Sequence, residues 1–461
     1  MHQLLRNIPS VETLLRSEPA LRHGATIMRT ILADLARNAT DEIREKILQD
    51  RFSTAGDVQD AAHSLFLAKI DQLLSPSLRR VINCTGVILH TGLGRAVIPE
   101  SAQQRLSALI DGYCNLELDL DSGGRGDRAG HVEALLTSLT GAESACVVNN
   151  NAAAVMLALN ALANRKEVVI SRGELVEIGG SFRIPDIMKK SGAKMVEIGT
   201  TNKTHLSDYA DAVSSRTAGI LHVHTSNYRV QGFTASPDLS ELVSLAHENG
   251  LFVLNDLGGG VLCDLKEFGL PHEPVVQAAV AAGVDVITFS GDKIIGGPQS
   301  GIIVGKKKFV QRIRKNPLMR VLRCDKFTYA LLAETLRLFL NKEQLVARHP
   351  VFAMLTTDKS IVRQRGQEIL KQLSKLKTKF ELTVCESSAS VGSGALPLEK
   401  IPSYALKISG AKRSVVELAT KLRKNDPAIL GYVKKHALFL DMRTVQGADF
   451  DTLRRTLKAI I

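Results

Sequence analysis

Lys293 is the residue whose surroundings point most specifically to chemistry. It follows the apolar run 284–289 and the turn residues 290–292, and Gly296-Gly297-Pro298 come shortly after it. A lysine at the mouth of a sheet can form a Schiff base with an aldehyde cofactor, and small neighbours leave room for the cofactor ring. Taken alone, the motif also fits an ordinary surface lysine. A second chemical group is needed before it predicts a site.

Asp256 supplies such a group at another predicted strand end. The apolar run 251–254 leads into Asn255 and Asp256, and three glycines follow at 258–260. Ligands of parallel sheets bind at the carboxyl ends of the strands, where a carboxylate can pair with a cationic ring nitrogen. A turn-forming aspartate is an equally good interpretation of Asp256 alone. The interval between Asp256 and Lys293 accommodates one crossover helix and one adjacent strand.

A run of three asparagines, 149–151, marks a third strand end. It follows the apolar run 145–148 and precedes Ala152 and Ala153, where a helix is predicted to start. The first turn of a helix presents free N–H groups and a positive dipole end, which together suit a phosphate group. Asn150 and Asn151 also fit a plain helix cap, the commoner role of asparagine there. Phosphate seat, acid and lysine in this chain order jointly predict one site.

The elements that must position these motifs alternate between strands and helices. Short apolar runs without polar interruption predict strands buried on both faces, and their alternation with helices predicts a parallel sheet. The predicted strands include 145–148, 168–171, 220–224, 251–254, 284–289 and a return strand at 301–304. The fold class is therefore α/β, and we assign residues 77–340 to this central domain.

The flanking segments have different patterns. Residues 1–76 show helical spacing throughout, with Thr40 predicted to cap a helix that contains Ile43 and Ile47. Beyond residue 340 a charged helical stretch is predicted, followed by strands at 404–408 and 437–442 with a helix near 415–423 between them. The sequence thus predicts a helical domain at 1–76 and a small α/β domain at 341–461.

The composition is that of a folded globular protein. Its 461 residues, 44% hydrophobic and 23% charged, exclude disordered and fibrous classes. The 6 cysteines lack zinc spacing, so we predict free thiols and no metal site. Since neither a signal peptide nor a membrane-spanning run is evident, we expect a cytoplasmic protein with no membrane partner. The net charge of +12, much of it between 306 and 326, favours anionic partners.

Longer strings give the sequence a family resemblance. They are Ile82-Asn83-Cys84-Thr85-Gly86, His90-Thr91-Gly92-Leu93-Gly94-Arg95, Val148-Asn149-Asn150-Asn151-Ala152-Ala153-Ala154, Ser171-Arg172-Gly173-Glu174-Leu175-Val176-Glu177-Ile178-Gly179-Gly180, Phe289-Ser290-Gly291-Asp292-Lys293 and Asn316-Pro317-Leu318-Met319-Arg320. Over nearly its full length the sequence resembles bacterial selenocysteine synthase, L-seryl-tRNA(Sec) selenium transferase. The resemblance implies a fold-type I enzyme dependent on pyridoxal phosphate, with a helical N-terminal domain and a small C-terminal α/β domain.

The resemblance also implies roles for the motif residues. Lys293 would hold pyridoxal 5'-phosphate as an internal aldimine, and Asp256 would keep the ring nitrogen protonated. The cofactor would also contact Asn150, Asn151, Ala152 and Ala153. Asp292 matches a residue that assists proton movement, although it also suits the positioning of the lysine. The residue that stacks on the ring is left open among Glu174, His224, Ser226 and Asn227.

By the same resemblance, the substrates are seryl-tRNA(Sec) and selenophosphate. The serine would pass through a dehydroalanyl-tRNA intermediate before selenium adds and selenocysteinyl-tRNA(Sec) forms. Arg95, Arg320 and Arg323 would bind the donor, since guanidinium groups suit tetrahedral oxyanions. The helical N-terminal domain would bind tRNA, although its charges are nearly balanced. The family implies a homodecamer built as a pentamer of dimers.

Two other functions remain open at this point. An ammonia-lyase acting on a small sugar acid or amino acid would use the same lysine chemistry, but it has no evident use for the helical N-terminal domain. A non-catalytic tRNA-binding protein on an enzyme scaffold would have no reason to keep Asp256 and Lys293 together. A Rossmann dehydrogenase is excluded because no GxGxxG follows a first strand.

Overall fold

The computed structural model of the chain describes residues 2–180, 182–228, 230–396 and 399–461. It divides into two compact units, Met1–Arg80 and Val81–Ile461. The boundary predicted after residue 76 lies close to this division, whereas residues 341–461 belong to the same unit as the central sheet. Among the described residues, none of the helices has the length and apolar character that a bilayer crossing requires.

Helices make up the secondary structure described for the first unit. They are α1 (His2–Arg6), α2 (Val11–Leu15), α3 (Glu18–His23), α4 (Arg29–Leu48) and α5 (Ala55–Leu74). The long helices α4 and α5 pack through apolar residues that include Ala36 and Phe66, which are fully or almost fully buried. The prediction that Thr40 caps a helix is wrong. Thr40 lies inside α4, where its hydroxyl donates to the Arg37 carbonyl at 2.8 Å, so the helix continues through it.

The strands of the second unit form a seven-stranded sheet and smaller ones. They are β1 (Val81–Asn83), β2 (Ser144–Val148), β3 (Glu167–Ser171), β4 (Glu177–Ile178), β5 (Phe182–Arg183), β6 (Lys194–Ile198), β7 (Thr217–Val223), β8 (Phe252–Gly258), β9 (Val286–Ser290), β10 (Gly301–Gly305), β11 (Glu381–Ala389), β12 (Ile401–Ser409), β13 (Ala428–Leu430), β14 (Tyr432–Lys434) and β15 (Ala437–Asp441). The large sheet has the order β2-β10-β9-β8-β7-β3-β6, and β10 is antiparallel to both of its neighbours. The predicted, mainly parallel sheet is therefore confirmed.

Helices cover both faces of this sheet. Those of the second unit are α6 (Glu100–Ile110), α7 (Gly130–Thr140), α8 (Asn151–Ala163), α9 (Ile184–Ser191), α10 (Leu206–Asp211), α11 (Leu239–Glu248), α12 (Val276–Ala281), α13 (Lys307–Arg314), α14 (Leu318–Leu322), α15 (Lys326–Leu338), α16 (Lys342–Arg348), α17 (Pro350–Thr356), α18 (Lys359–Leu373), α19 (Lys412–Lys424) and α20 (Gly447–Ile460). Successive strand residues face two different cores, with Ile220 in one and Leu221 in the other. Burial on both faces explains why the strands are apolar without interruption.

A second, antiparallel sheet has the order β11-β12-β15-β14. The sequence predicted helix before residue 404, but Glu381–Ala389 forms β11 at the edge of this sheet. Its exposed and partly buried residues alternate, so it lacks the continuous apolar run of the central strands. Strand β1 pairs in parallel with β13, with Val81 opposite Ala428. The segment that follows residue 80 is thus tied to the C-terminal part of the chain.

Candidate active site

Asp256 and Lys293 meet at the carboxyl end of two neighbouring parallel strands. Asp256 lies in β8, and its register partner in β9 is Thr288, five positions before Lys293. Both side chains belong to residues that are almost enclosed, with relative exposures of 4% for Asp256 and 7% for Lys293. Ligands of parallel sheets bind at this edge. The structure therefore brings together the acid and the lysine that the sequence singled out.

The Asp256 carboxylate is held by three hydrogen bonds. Asn151 Nδ2 donates at 2.8 Å, the Gly258 N–H at 3.0 Å and the Thr288 hydroxyl at 3.2 Å. All three reach Oδ1, so among the described residues Oδ2 accepts no hydrogen bond. Burial raises the pKa of Asp256, and the bonds from Asn151 and Gly258 and the charge of Lys293 oppose that rise. A cationic group at Oδ2 would stabilise the ionised carboxylate.

Lys293 is an amine whose charge is disfavoured by its surroundings. Burial lowers its pKa, while Asp256 and Asp292 raise it and Arg95 lowers it further. A lowered pKa makes the neutral, nucleophilic form of a lysine more available. Gly258 has a φ of +62°, and a Cβ there would stand 4.0 Å from Lys293 Nζ. This glycine thus satisfies a left-handed turn and keeps the space beside the amine open.

Arg95 and Asp292 form an ion pair beside the lysine. Arg95 Nη1 lies 2.5 Å from Asp292 Oδ2, and the two side chains are 36% and 8% exposed. Asp292 is therefore a buried acid that depends on Arg95 for its counter-charge. Arg95 follows a 3-10 turn, Thr91–Leu93, after one intervening residue, Gly94, and its own φ is +64°. The turn directs the chain so that residue 95 reaches residue 292.

The asparagine motif starts α8 beside Asp256. Asn150 is the N-cap residue, and its Oδ1 accepts from the Ala153 N–H at 2.8 Å. The cap interpretation therefore holds for Asn150, while Asn151 bonds Asp256 instead. The amides of Asn151 and Ala152 belong to the first helical turn, which has no intrahelical acceptors for its N–H groups. These two amides are the available part of the predicted phosphate seat.

Arg320 and Arg323 lie together in a different arginine-rich cavity. It has a volume of about 350 Å³, and its described lining includes Arg125, Arg128, Arg314, Arg320 and Arg323. The backbone at residues 322–323 runs beside the end of β2, since the Asn149 N–H donates to the Leu322 carbonyl at 3.0 Å. Arg95 is not among the described residues that line this cavity, and it pairs with Asp292 instead. The three arginines predicted to bind the selenium donor thus lie in two places, with Arg320 and Arg323 in this cavity and Arg95 beside Asp292.

Comparison with known proteins identifies the family. The family model for L-seryl-tRNA selenium transferase matches residues 81–446. The chain belongs to this family. It is 45% identical to the L-seryl-tRNA(Sec) selenium transferase of Carboxydothermus hydrogenoformans over 458 residues, covering 99% of this chain and 98% of that protein. It is 42% identical to the protein of that name from Alkaliphilus metalliredigens over 461 residues, covering 99% of each.

The fold of this transferase is also found in solved structures. D-glucosaminate-6-phosphate ammonia-lyase aligns with a TM-score of 0.55 at 18% identity, covering 85% of this chain and 97% of that one. The predicted fold-type I architecture is confirmed. With the family and the fold shown, the predicted cofactor, pyridoxal phosphate, is confirmed as well. The site fits it, because Lys293 is a buried amine, Asp256 Oδ2 accepts no hydrogen bond from the described residues, and α8 presents helical amides.

Several polar residues around the transferase site were not assigned from the sequence. Thr288 is a polar residue inside the buried strand β9, which is the signal that could have identified it as a partner of Asp256. Among the candidates for stacking, His224 has its backbone N–H bonded to the Asp256 carbonyl at 2.8 Å. Ser226 Oγ is buried without a partner among the described residues. Glu174 and Asn227 bond Val223 and Glu177 respectively.

Proposed function

We propose that this protein converts L-seryl-tRNA(Sec) to L-selenocysteinyl-tRNA(Sec), with selenophosphate as the selenium donor and pyridoxal phosphate as the cofactor. The observation that carries the proposal is the buried pair Asp256 and Lys293 at one sheet edge, in a chain that matches the transferase family over residues 81–446. Identity of 45% over nearly the whole length favours this reaction over the ammonia-lyase alternative.

The chain's own groups have separable tasks. Pyridoxal phosphate, when bound, supplies an electron sink for negative charge at the α-carbon of an attached amino acid. Lys293 would hold the cofactor and, once its amine is free, accept the proton from the serine α-carbon. Asp256 would hold a proton on the ring nitrogen through its free Oδ2. The amides of Asn151 and Ala152 would bind the cofactor phosphate.

The second half of the reaction exchanges the serine β-hydroxyl for selenium. Asp292 lies next to Lys293 in sequence and is held by Arg95, so we propose that it positions the lysine and assists proton movement at that amine. Arg320 and Arg323 would bind selenophosphate, because five guanidinium groups line their cavity against two carboxylates, Glu117 and Asp127, and a guanidinium group suits a tetrahedral oxyanion. Arg95, which lies beside Lys293, would add its positive charge to the binding of this anion.

The finer expectations on assembly belong to the same proposal. We propose a homodecamer, a pentamer of dimers, in the cytoplasm, with residues 1–76 as the tRNA-binding domain, 77–340 as the catalytic domain and 341–461 as the small domain. Large apolar side chains in the second unit, such as Tyr113, Leu120 and Val321, are strongly exposed in the single chain, which supports burial by further copies. Mass photometry of the purified protein measures the assembly directly.

Turnover of seryl-tRNA(Sec) with selenophosphate tests the proposed function. The holoenzyme is expected to yield selenocysteinyl-tRNA(Sec), identified by mass spectrometry of the released amino acid. Lys293→Ala is expected to abolish the product and the pyridoxyl label that borohydride fixes on the peptide containing residue 293. The exposed lysine variant Lys266→Ala is the matched control and should retain both. Formation of ammonia without a selenium product would instead favour the lyase.

A further inference from the structure

A polar cavity lies at the sheet edge beside the lysine. Two of its lining residues, Glu174 and His224, are candidates for stacking on the cofactor ring, and the rest of its lining has no role in the chemistry proposed above. Its volume is about 350 Å³, which is within the range of ligand sites. Four segments form its walls, at residues 171–174, 200–204, 222–225 and 230–236. They come from the carboxyl ends of β3, β6 and β7 and from the chain that follows β7. The cavity therefore opens on the same edge of the sheet as Lys293.

Gly258 and Ser226 relate this cavity to the lysine. A Cβ at Gly258 would stand 4.0 Å from Lys293 Nζ and 3.4 Å from Ser226 Oγ. The Ser226 N–H donates to the carbonyl of His224 at 2.9 Å, and His224 and Thr225 line the cavity. Ser226 is thus the described residue that links the lysine to the cavity lining, which makes the cavity a candidate for a group esterified to a serine that reacts at Lys293.

Two polar atoms on the cavity wall keep unused hydrogen-bonding capacity. Glu174 Oε1 and His222 Nε2 are 3.7 Å apart, which is too far for a hydrogen bond. Burial raises the pKa of Glu174 to about 8 and lowers that of His222 to about 4, so both are neutral at pH 7. Asn255 Nδ2 lies 2.7 Å from His222 Nδ1, and this arrangement leaves Nε2 as the protonated nitrogen. Glu174 and His222 therefore each present an uncharged hydrogen-bond donor on the wall of the cavity.

The rest of the lining is also mostly neutral. Hydroxyl and amide side chains predominate, at Ser171, Thr200, Thr201, Asn202, Thr204, Thr225, Gln231, Thr234 and Ser236. Among the described lining residues Lys203 is the single lysine or arginine, and it forms no ion pair with any of them. This differs from the arginine-rich cavity at Arg320 and Arg323, which suits an oxyanion. A neutral ligand with hydroxyl groups, ring nitrogens and one adjacent phosphodiester fits the polar cavity better.

We propose that this cavity binds the 3'-terminal nucleoside of seryl-tRNA(Sec), an inference that rests on the proposed function. Glu174 and His222 face the free ribose hydroxyl, and the hydroxyl and amide groups contact the base edges. Proteins recognise unpaired RNA ends through such base-edge, stacking and ribose contacts, and histidine rings supply the stacking surface. Lys203 lies where the phosphodiester enters. The nucleoside subsite thereby holds the esterified serine against Lys293.

Binding of two tRNAs by the holoenzyme tests this subsite. One is complete tRNA(Sec), and the other lacks only the 3'-terminal adenosine. For the unaltered protein, removal of the nucleoside is expected to weaken binding about tenfold, the size expected for one stacked base. Ser236→Trp and Thr234→Trp each fill the cavity from an exposed position. Each should weaken binding of the complete tRNA to the level of the truncated one, without weakening the latter.

Ser240→Trp is the matched control, because Ser240 is exposed on α11 and does not line the cavity. It should keep the full discrimination, and melting temperature and cofactor absorbance report whether each variant is folded. Continued tenfold discrimination by a folded Ser236→Trp or Thr234→Trp protein would overturn the subsite. A change of oligomeric mass with intact discrimination would assign the cavity to a subunit contact and also overturn it.

The same experiment separates the subsite from the proposed function. If the unaltered holoenzyme makes selenocysteinyl-tRNA(Sec) yet binds both tRNAs equally, the subsite alone is wrong. If it neither binds complete tRNA(Sec) nor makes the product, the proposed function fails and the subsite fails with it.

Discussion

The Asp256→Asn substitution tests the central electrostatic argument. The amide side chain of this variant would keep an oxygen where Oδ1 accepts from Asn151, Gly258 and Thr288, so the three hydrogen bonds at 2.8, 3.0 and 3.2 Å retain an acceptor. What disappears is the negative charge at Oδ2. A hydrogen bond to a charged group contributes ~1.5–3 kcal/mol. Loss of that contribution in the transition state slows the reaction by about 10- to 150-fold.

The assay is single-turnover conversion of seryl-tRNA(Sec) by saturating holoenzyme, with cofactor occupancy measured by absorbance. Asp256→Asn should load cofactor, and its cofactor-free form should melt at or above the temperature of the cofactor-free unaltered protein, because a buried charge has been removed. Asp256→Ala is the contrast. It leaves buried donors such as Asn151 Nδ2 unpaired, at ~1–3 kcal/mol each, and should melt at a lower temperature. A fully loaded Asp256→Asn protein that reacts within about threefold of the normal rate would refute the role of Asp256.

Three further predictions concern other ionisable groups. Arg95→Met should lower the unfolding free energy by ~1–3 kcal/mol, because it leaves the buried Asp292 carboxylate without the guanidinium group that pairs with it. Adding Asp292→Asn should recover most of that loss. Equal melting temperatures for the unaltered, single-variant and double-variant proteins would contradict this prediction. Arg320→Ala and Arg323→Ala should each raise the KM for selenophosphate about tenfold and change the KM for tRNA by less than about threefold; the reverse pattern in steady-state kinetics would place the donor elsewhere. Glu174 has a pKa of about 8 when folded, against a usual 4.5, so the folded protein retains its proton and loses stability as pH rises through this interval. From about pH 6.5 to 8, where its histidine neighbour stays neutral, the loss of unfolding free energy amounts to ~2 kcal/mol. The Glu174→Gln protein should not show this loss when its unfolding by urea is measured at the same pH values. Parallel curves of unfolding free energy against pH for the two proteins would disprove the assignment.

The sequence by itself determined the elements and the chain order of the chemical groups. Buried strands such as β2 and β9 can be predicted from the sequence, because strands covered on both faces consist mainly of apolar residues. The cap at Asn150 can be predicted from the sequence, because helix capping is an interaction between residues close together in the chain. Strand β11 was missed, since an edge strand with alternating exposure lacks that continuous apolar signal. The predicted cap at Thr40 failed because the packing of α4 against α5 favours one continuous helix.

Only the tertiary structure decided which groups share an environment. The bond from Thr288 to Asp256, the ion pair of Arg95 with Asp292, and the pair of Glu174 with His222 join residues distant in sequence. Their charge states depend on desolvation, which is a property of the packed chain and not of residue spacing. Sequence could therefore name the lysine and the acid, whereas packing alone determines how each is charged and what lies beside it.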